Sequence, residues 1–407
     1  MKTLSLKSFD FFPQLVLFAH LLFMTVFILN HPGYNWDFLA YIGLSVSADQ
    51  RDAESMHGAA YGLIRERLSD EQFSLLISAP AATDLYENPE HFASHLKMFE
   101  IKPFYILIVR TLSRIGVNPI DALLWLSLLP ALLICVLAYH WLRDLAGAGL
   151  SVTIVVLFSI GSRLFDIGRV AFPDALSGLM LLVGIWCLLQ RKRVVFGLVI
   201  WVLSIWVRTT NILYVAPVTL LFWWNDYFRQ DAPTKTGILR SMIKSKYMIF
   251  FTSSIVSYLW ITYRYDYSWW LLFYHSFIEL QSDISEFDEP FSFALYWTEL
   301  TNRAKQLITL MPGISSFPIT RLPIFLLILV AAMGKSDWKN TFRNLVQPHR
   351  DVGLAEVAML SLPVFTIFIF LFPQSLILDR FFVPYYAILV LFAASRLQHK
   401  DKAVLQE

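Results

Sequence analysis

Ten apolar stretches, each long enough to cross a bilayer alone or with tilt, limit this chain's folding more than any other feature. They fall near 11–29, 119–141, 149–165, 174–190, 194–207, 209–224, 247–263, 318–333, 354–372 and 381–396. Several are short or hold a proline, and the pair that meets at Arg208-Thr209 can also be read as one helix plus a half-helix. The fold class that follows is all-α: a polytopic transmembrane bundle of about ten helices. Composition agrees. Of 407 residues, 57% are hydrophobic and 16% charged, where a soluble domain carries about 25% charged residues. A formal net charge of +2 argues against a nucleic-acid partner. Cys135 and Cys187 sit inside apolar runs and read as small core residues, not as a disulfide or a metal pair.

Lys2 and Lys7 precede the first run, as in a signal peptide. The run is long for such a segment, and Asn30-His31-Pro32-Gly33-Tyr34 follows it in place of a small-residue cleavage site, so a retained helix is expected. Lys and Arg then set the orientation. Arg143, Arg191-Lys192-Arg193, the basic residues from Arg229 to Lys246, those from Lys335 to Arg350 and those from Arg396 to Lys402 fall on one side with the N-terminus. That places both termini in the cytoplasm, with the bilayer as the chain's surroundings and large outer loops at 30–118 and 264–317. The chain divides at the second loop, into a transmembrane module over 1–265 that includes the first loop and a remainder over 266–407. Within the first loop, Ala59 to Ile77 reads as one amphipathic helix along the membrane surface. Pro103 to Val117 carries Arg110 and Arg114 and reads as a re-entrant or interfacial helix with Lys102 at its entrance. No internal repeat is apparent.

Four places bring charge next to apolar runs. Asp37 follows the outer end of the first helix with aromatics on both sides, which suits a general base; it equally suits an N-cap for a helix from Phe38. Arg163, Asp166, Arg169 and Asp174 share one short outer loop. Its arginines suit a phosphate or pyrophosphate, while pairing of Asp166 with Arg163 or Arg169 would make the loop simple scaffolding. Pro173-Asp174 reads as a helix start. Arg208 interrupts an apolar stretch beside Thr209, Thr210 and Asn211; it faces protein or a cavity, or marks a surface turn. Asp379-Arg380 opens the last helix, with Arg380 within reach of a phosphate or, more blandly, part of an interfacial cap. His91 and His95 share a helix face but lack a third ligand or a His-Glu-x-x-His pattern, so a metal there is disfavoured. The acids from Asp283 to Glu289 read as a solvated loop. Neither a phosphate-binding glycine loop nor Gly-x-Ser-x-Gly occurs.

Taken in order, these features resemble the GT-C superfamily of membrane glycosyltransferases, which includes protein O-mannosyltransferases, aminoarabinose transferases and the catalytic subunit of oligosaccharyltransferase. Asp37 occupies the place of the acid near the start of that superfamily's first outer loop. Lys102-Pro103-Phe104-Tyr105 is similar to a Lys-Pro-Pro-Leu-Tyr-like stretch, and Tyr139 to Asp144 to a basic inner turn. Asp166 or Asp174 matches the second-loop acid. Gly197, Arg208-Thr209-Thr210 and Pro217 resemble a later Gly…Arg-Pro-Thr…Pro pattern, and Arg380-Phe381 with Pro384 the start of a late helix. The departures are a single acid at Asp37 where the mannosyltransferases have an Asp-Glu pair, no Asp-x-Glu in the second loop, and Phe after Lys102-Pro103. The resemblance implies transfer of a sugar from a polyprenyl-phosphate donor to a lipid, glycan or protein acceptor at the outer face. Asp37 would deprotonate the acceptor, and Lys102, Arg169, Arg208 and Arg380 would stabilise the departing phosphate. It leaves a divalent cation open. Rival readings are a transporter or flippase of lipid-linked sugars and a non-catalytic envelope-assembly protein. The charges gather in outer loops, away from the midplane where a transporter binds, and this favours the transferase.

Overall fold

The protein is described here from a computed structural model covering residues 11–47, 50, 52–189, 193–229, 242–266, 268–279, 283–285, 287–310, 335–346, 351–371 and 382–404. Among the described residues every named element is a helix, and the single β-type contact is an isolated bridge between Gly33 and Val170. In chain order the helices are α1 (Phe11–Asn30), α2 (Trp36–Val46), α3 (Ala53–Arg67), α4 (Asp70–Leu76), α5 (Pro80–Glu87), α6 (Pro89–Glu100), α7 (Pro103–Arg114), α8 (Pro119–Ala146), α9 (Ala148–Gly161) and α10 (Leu164–Arg169). Then come α11 (Asp174–Leu189), α12 (Val194–Val207), a 3-10 turn (Thr209–Asn211), α13 (Ile212–Arg229), α14 (Lys246–Arg264), α15 (Trp269–Phe277), α16 (Phe293–Leu310), α17 (Lys335–Val346), α18 (Leu354–Leu371) and α19 (Val383–Val404).

The apolar runs are helical wherever they are described, but caps and turns trim them. The run 149–165 stops at Gly161, because Arg163 turns into the left-handed region at φ 56° before α10 begins. Arg208, extended at φ −153°, separates α12 from α13, so two helices form there. Among the described residues two helices, α1 and α8, are long and apolar enough to cross a membrane; α2, α9, α11, α12 and the apolar parts of α18 and α19 are shorter. The run 318–333 and Arg380 lie outside the described residues.

Two apolar cores meet on α8. The larger is built from α8, α11, α12, α13, α18 and α19, with Trp141, Trp201, Tyr214 and Tyr386 fully enclosed. The smaller gathers α2 to α7 around Phe38, Tyr41, Phe92 and Tyr105. Ile120 and Leu123, in the first turns of α8, belong to the smaller core, and Leu128 onward to the larger, so one rod of 28 residues fixes the loop assembly to the bundle. The expected single helix over Ala59 to Ile77 is instead two, α3 and α4. Ser69 forms a capping box with Gln72 that satisfies the new helix's first amides, which restarts the chain in a different direction.

α11 and α12 pack closely through two glycines. A Cβ placed on Gly184 would overlap the Trp201 indole, and one on Gly197 would sit 2.8 Å from the Gly184 carbonyl oxygen. The same indole donates to the Leu181 carbonyl at 3.1 Å, which fixes its plane against α11. Small residues at such crossings let helices pack by dispersion alone. Gly184→Val is therefore expected to cost about 3 kcal/mol through overpacking. Thermal unfolding of detergent-purified protein measures this, and a loss within error of zero would mean that the two helices have room to separate.

Candidate functional site

The segment after α1 starts α2 with a local signal. The Asn35 side chain accepts from the Phe38 amide at 3.1 Å, so Asn35 caps α2 and Asp37 stands in the helix's first turn. The capping role that sequence allowed for Asp37 belongs to its neighbour. Asp37 is half-buried, and Tyr41 is one turn further on along the same face. Lys102, just before the proline that opens α7, donates from Nζ to the Tyr41 hydroxyl at 2.5 Å. Its ammonium lies 5.0 Å from the Tyr41 ring centre and 4.8 Å from that of Phe99, an aromatic seat for a cation. Tyr105 packs edge-on to Tyr41 at 5.0 Å and is fully buried. Burial raises the Tyr105 phenol well above its usual range; Ser127 beside it draws it back, and the nearby Asp37 charge raises it further. Asp37, Tyr41, Lys102 and Tyr105 thus form one cluster of a carboxylate, an ammonium and two phenols.

The 163–174 segment is tied to that cluster through the backbone. The Gly33 amide donates to the Arg169 carbonyl at 2.8 Å, and Gly33 bridges to Val170. A Cβ at Gly33 would come within 2.8 Å of Val170 Cγ2, so the approach needs glycine. The Ser127 hydroxyl on α8 donates to the Phe172 carbonyl at 3.2 Å and accepts from the Phe172 amide at 3.3 Å. Within the loop, Asp166 pairs with Arg163 at 2.5 Å and faces Arg169 at 3.4 Å. The scaffolding pairs considered from sequence are therefore present, and one carboxylate answers two guanidiniums.

Asp174 opens α11 as Pro173-Asp174 implied, and its buried carboxylate pairs with Arg208. Arg208 also donates from Nε to Thr210 at 2.9 Å. Nearby, the Asn211 amide donates to the Ser177 hydroxyl and the Ser204 carbonyl, both at 2.9 Å, joining α11, α12 and the 3-10 turn. The cavity along this pair, lined also by Phe368 and Tyr385, holds about 10 Å³, room for roughly one water-sized sphere. Ala171 and Val207, chain neighbours of these segments, are buried in the same apolar cluster as Tyr41 and Tyr105. The structure therefore sets Asp37 and Lys102 about Tyr41 and Tyr105, and pairs Asp166 with Arg169 and Asp174 with Arg208, the first and last groups bordering one core.

Several groups were not singled out from sequence. Tyr41 was legible as the residue one helical turn after Asp37, and Tyr105 as the aromatic after Lys102-Pro103. Arg110, noted as a costly charge on α7, donates to the Leu44 carbonyl and to Ser47, both at 2.9 Å, and so closes the C-terminal end of α2. Glu100 is pushed up by burial, while Arg110, Arg264 and Lys97 draw it down; its own helix and two others thus turn cations toward one carboxylate. His91 pairs with Asp84 at 2.7 Å and reaches toward Asp283 at 3.8 Å, while His95 turns inward. Among the described residues no three His, Cys, Asp or Glu side chains gather where they could hold a metal ion.

His95 joins the α2–α7 assembly to α15. It is buried, with its ring 5.3 Å from that of His275 on α15 and 6.1 Å from Trp36. Burial first, and then the His275 charge, push it down from 6.5 to about 3. A histidine lowered by folding contributes stability that is complete above 6.5 and is lost as pH falls toward 3. Between pH 7 and 5 the loss amounts to about 2 kcal/mol. Hydrogen exchange in α6 and α15 is expected to rise over that interval in wild type and to stay flat in His95→Phe; equal pH slopes in the two proteins would refute the assignment.

Neither a known protein-family model nor any curated protein or solved structure matches this chain.

Proposed function

We propose that the chain is a multi-pass membrane glycosyltransferase with GT-C-like architecture, moving a sugar from a polyprenyl-phosphate donor to an acceptor hydroxyl at the outer face. The membrane reading is supported by outward apolar faces on many helices. On α1 alone Phe11, Phe12, Leu15, Phe18, Leu22, Phe23, Val26 and Leu29 are exposed, a surface that water penalises and acyl chains do not. The shorter apolar helices reach across by tilt and local thinning of the bilayer. The basic segments hold both termini in the cytoplasm and the loop core outside.

The observation that carries the chemical reading is the meeting of Asp37 and Lys102, from opposite ends of the first outer loop, around Tyr41 and Tyr105. In the proposed step the acceptor hydroxyl gives its proton to the Asp37 carboxylate. Its oxygen bonds to the anomeric carbon as the bond from that carbon to the phosphate oxygen breaks, and the electron pair leaves on the phosphate. Lys102, bonded to the Tyr41 hydroxyl one helical turn after Asp37, takes the growing negative charge. Arg169 and Arg208 serve the same phosphate only by sharing themselves between it and Asp166 or Asp174. Arg380 completes the set as the superfamily resemblance implies.

Product analysis tests the proposal. Purified protein in liposomes with a polyprenyl-phosphate sugar and candidate acceptors is expected to release free polyprenyl phosphate and form a new glycosidic bond. Movement of the intact donor between leaflets with neither product would establish a flippase instead.

A further inference from the structure

At the far end of α12 from Arg208 lies a second site of a different kind. Val194–Val207 has 14 residues, about 20 Å of helix, so the two ends are well separated. A cleft of about 520 Å³ opens there, lined by Arg193, Val194, Val195, Phe196 and Lys246. Its two charged lining residues are both cations, brought from the starts of two helices that pack together, α12 and α14. The hydroxyl of Ser245, just before Lys246, is buried and has no hydrogen-bond partner among the described residues. Beyond the cleft both helices turn apolar side chains outward: Phe196, Val199 and Leu203 along one face of α12, and Ile249, Val256 and Trp260 along one face of α14. The Trp206 and Trp260 rings stack at 5.1 Å where the two faces meet at the other end.

We propose that this cleft binds the headgroup of one anionic phospholipid of the inner leaflet, its phosphate between Arg193 and Lys246 and its acyl chains along the exposed apolar faces of α12 and α14. Charge complementarity selects the occupant. Two cations and no carboxylate among the described lining residues favour a headgroup of net negative charge over a zwitterionic one. The adjoining apolar faces give a lipid an advantage that a free phosphate lacks. The proposal rests on the membrane reading above and not on the transfer step.

The test is native mass spectrometry of the full-length protein purified from membranes of mixed phosphatidylglycerol and phosphatidylcholine. Wild type is expected to retain one phosphatidylglycerol, and Arg193→Gln/Lys246→Gln to retain it about tenfold less, with an unchanged gel-filtration profile showing that the variant is folded. Equal retention by the two proteins, equal retention of both lipids by wild type, or displacement of the lipid by millimolar inorganic phosphate would each overturn the proposal. Carbonate washing separates the two levels. A chain released from the membrane sinks the membrane reading and this site together, whereas a chain that stays and retains lipid regardless of Arg193 and Lys246 sinks this site alone.

Discussion

Asp37→Asn is expected to lower sugar transfer by about 10²- to 10⁴-fold, the range for loss of a positioned general base, while leaving the protein's accumulation and unfolding temperature close to wild type. The two effects separate because Asn35, not Asp37, caps α2. The substitution preserves the size of the side chain. It removes only a favourable charge in the first turn of the helix, worth about 0.3–1 kcal/mol. Asn35→Ala is the mirror experiment, since it takes away the Phe38 amide's acceptor, costs about 1 kcal/mol of stability and leaves the base in place. A transfer rate for Asp37→Asn within a few-fold of wild type would remove Asp37 from the mechanism and leave it a helix-terminal charge.

Asp174→Asn is expected to destabilise the bundle by about 3–5 kcal/mol, the penalty for taking one partner from a buried ion pair. The Asp174 carboxylate is nearly inaccessible, and the Arg208 side chain it faces is 16% exposed. Asp174→Leu/Arg208→Met removes both charges with similar bulk and is expected to recover most of the loss, because apolar replacement of a complete buried pair is commonly neutral. Thermal unfolding of the three variants in one detergent measures this. A double variant as unstable as the single one would locate the cost in packing and not in charge. A single variant within about 1 kcal/mol of wild type would show that other groups satisfy Arg208.

Features set by local chemistry were legible in the sequence. Where they are described the apolar runs are helical, and Pro173-Asp174 and Lys102-Pro103 mark true helix starts because proline suits the entry to a helix, where its missing amide costs nothing. Where two local signals compete, apolar periodicity misleads. The Ala59 to Ile77 pattern continues across Ser69, yet the capping box at Ser69 and Gln72 breaks it into α3 and α4. Asn35 and Asp37 both suit a cap, and the choice between them is made by backbone direction after Gly33, which side-chain type does not encode. The scaffold pairing of Asp166 with Arg163 was legible because the partners are one helical turn apart. The pairing of Asp174 with Arg208 was not, since it depends on how α11 packs against α12. Nor was the meeting of Gly33 and Val170, because backbone hydrogen bonds leave no trace in composition beyond the glycine that the close approach demands. Lys102 was noticed for its charge, but its seat on Tyr41 and Phe99 follows from the folding of α2, α6 and α7 against one another.

Gly33 grips the 163–174 segment through Arg169 and Val170, and the Ile284 amide of the 268–289 segment donates to Ser94 of the 31–118 segment at 3.3 Å. Three stretches widely separated along the chain are therefore one transplantable part. Grafting residues 31–118 alone onto a foreign bundle would sever its anchorage on two sides. A functional chimera has to carry 163–174 and the 268–289 segment in the same exchange.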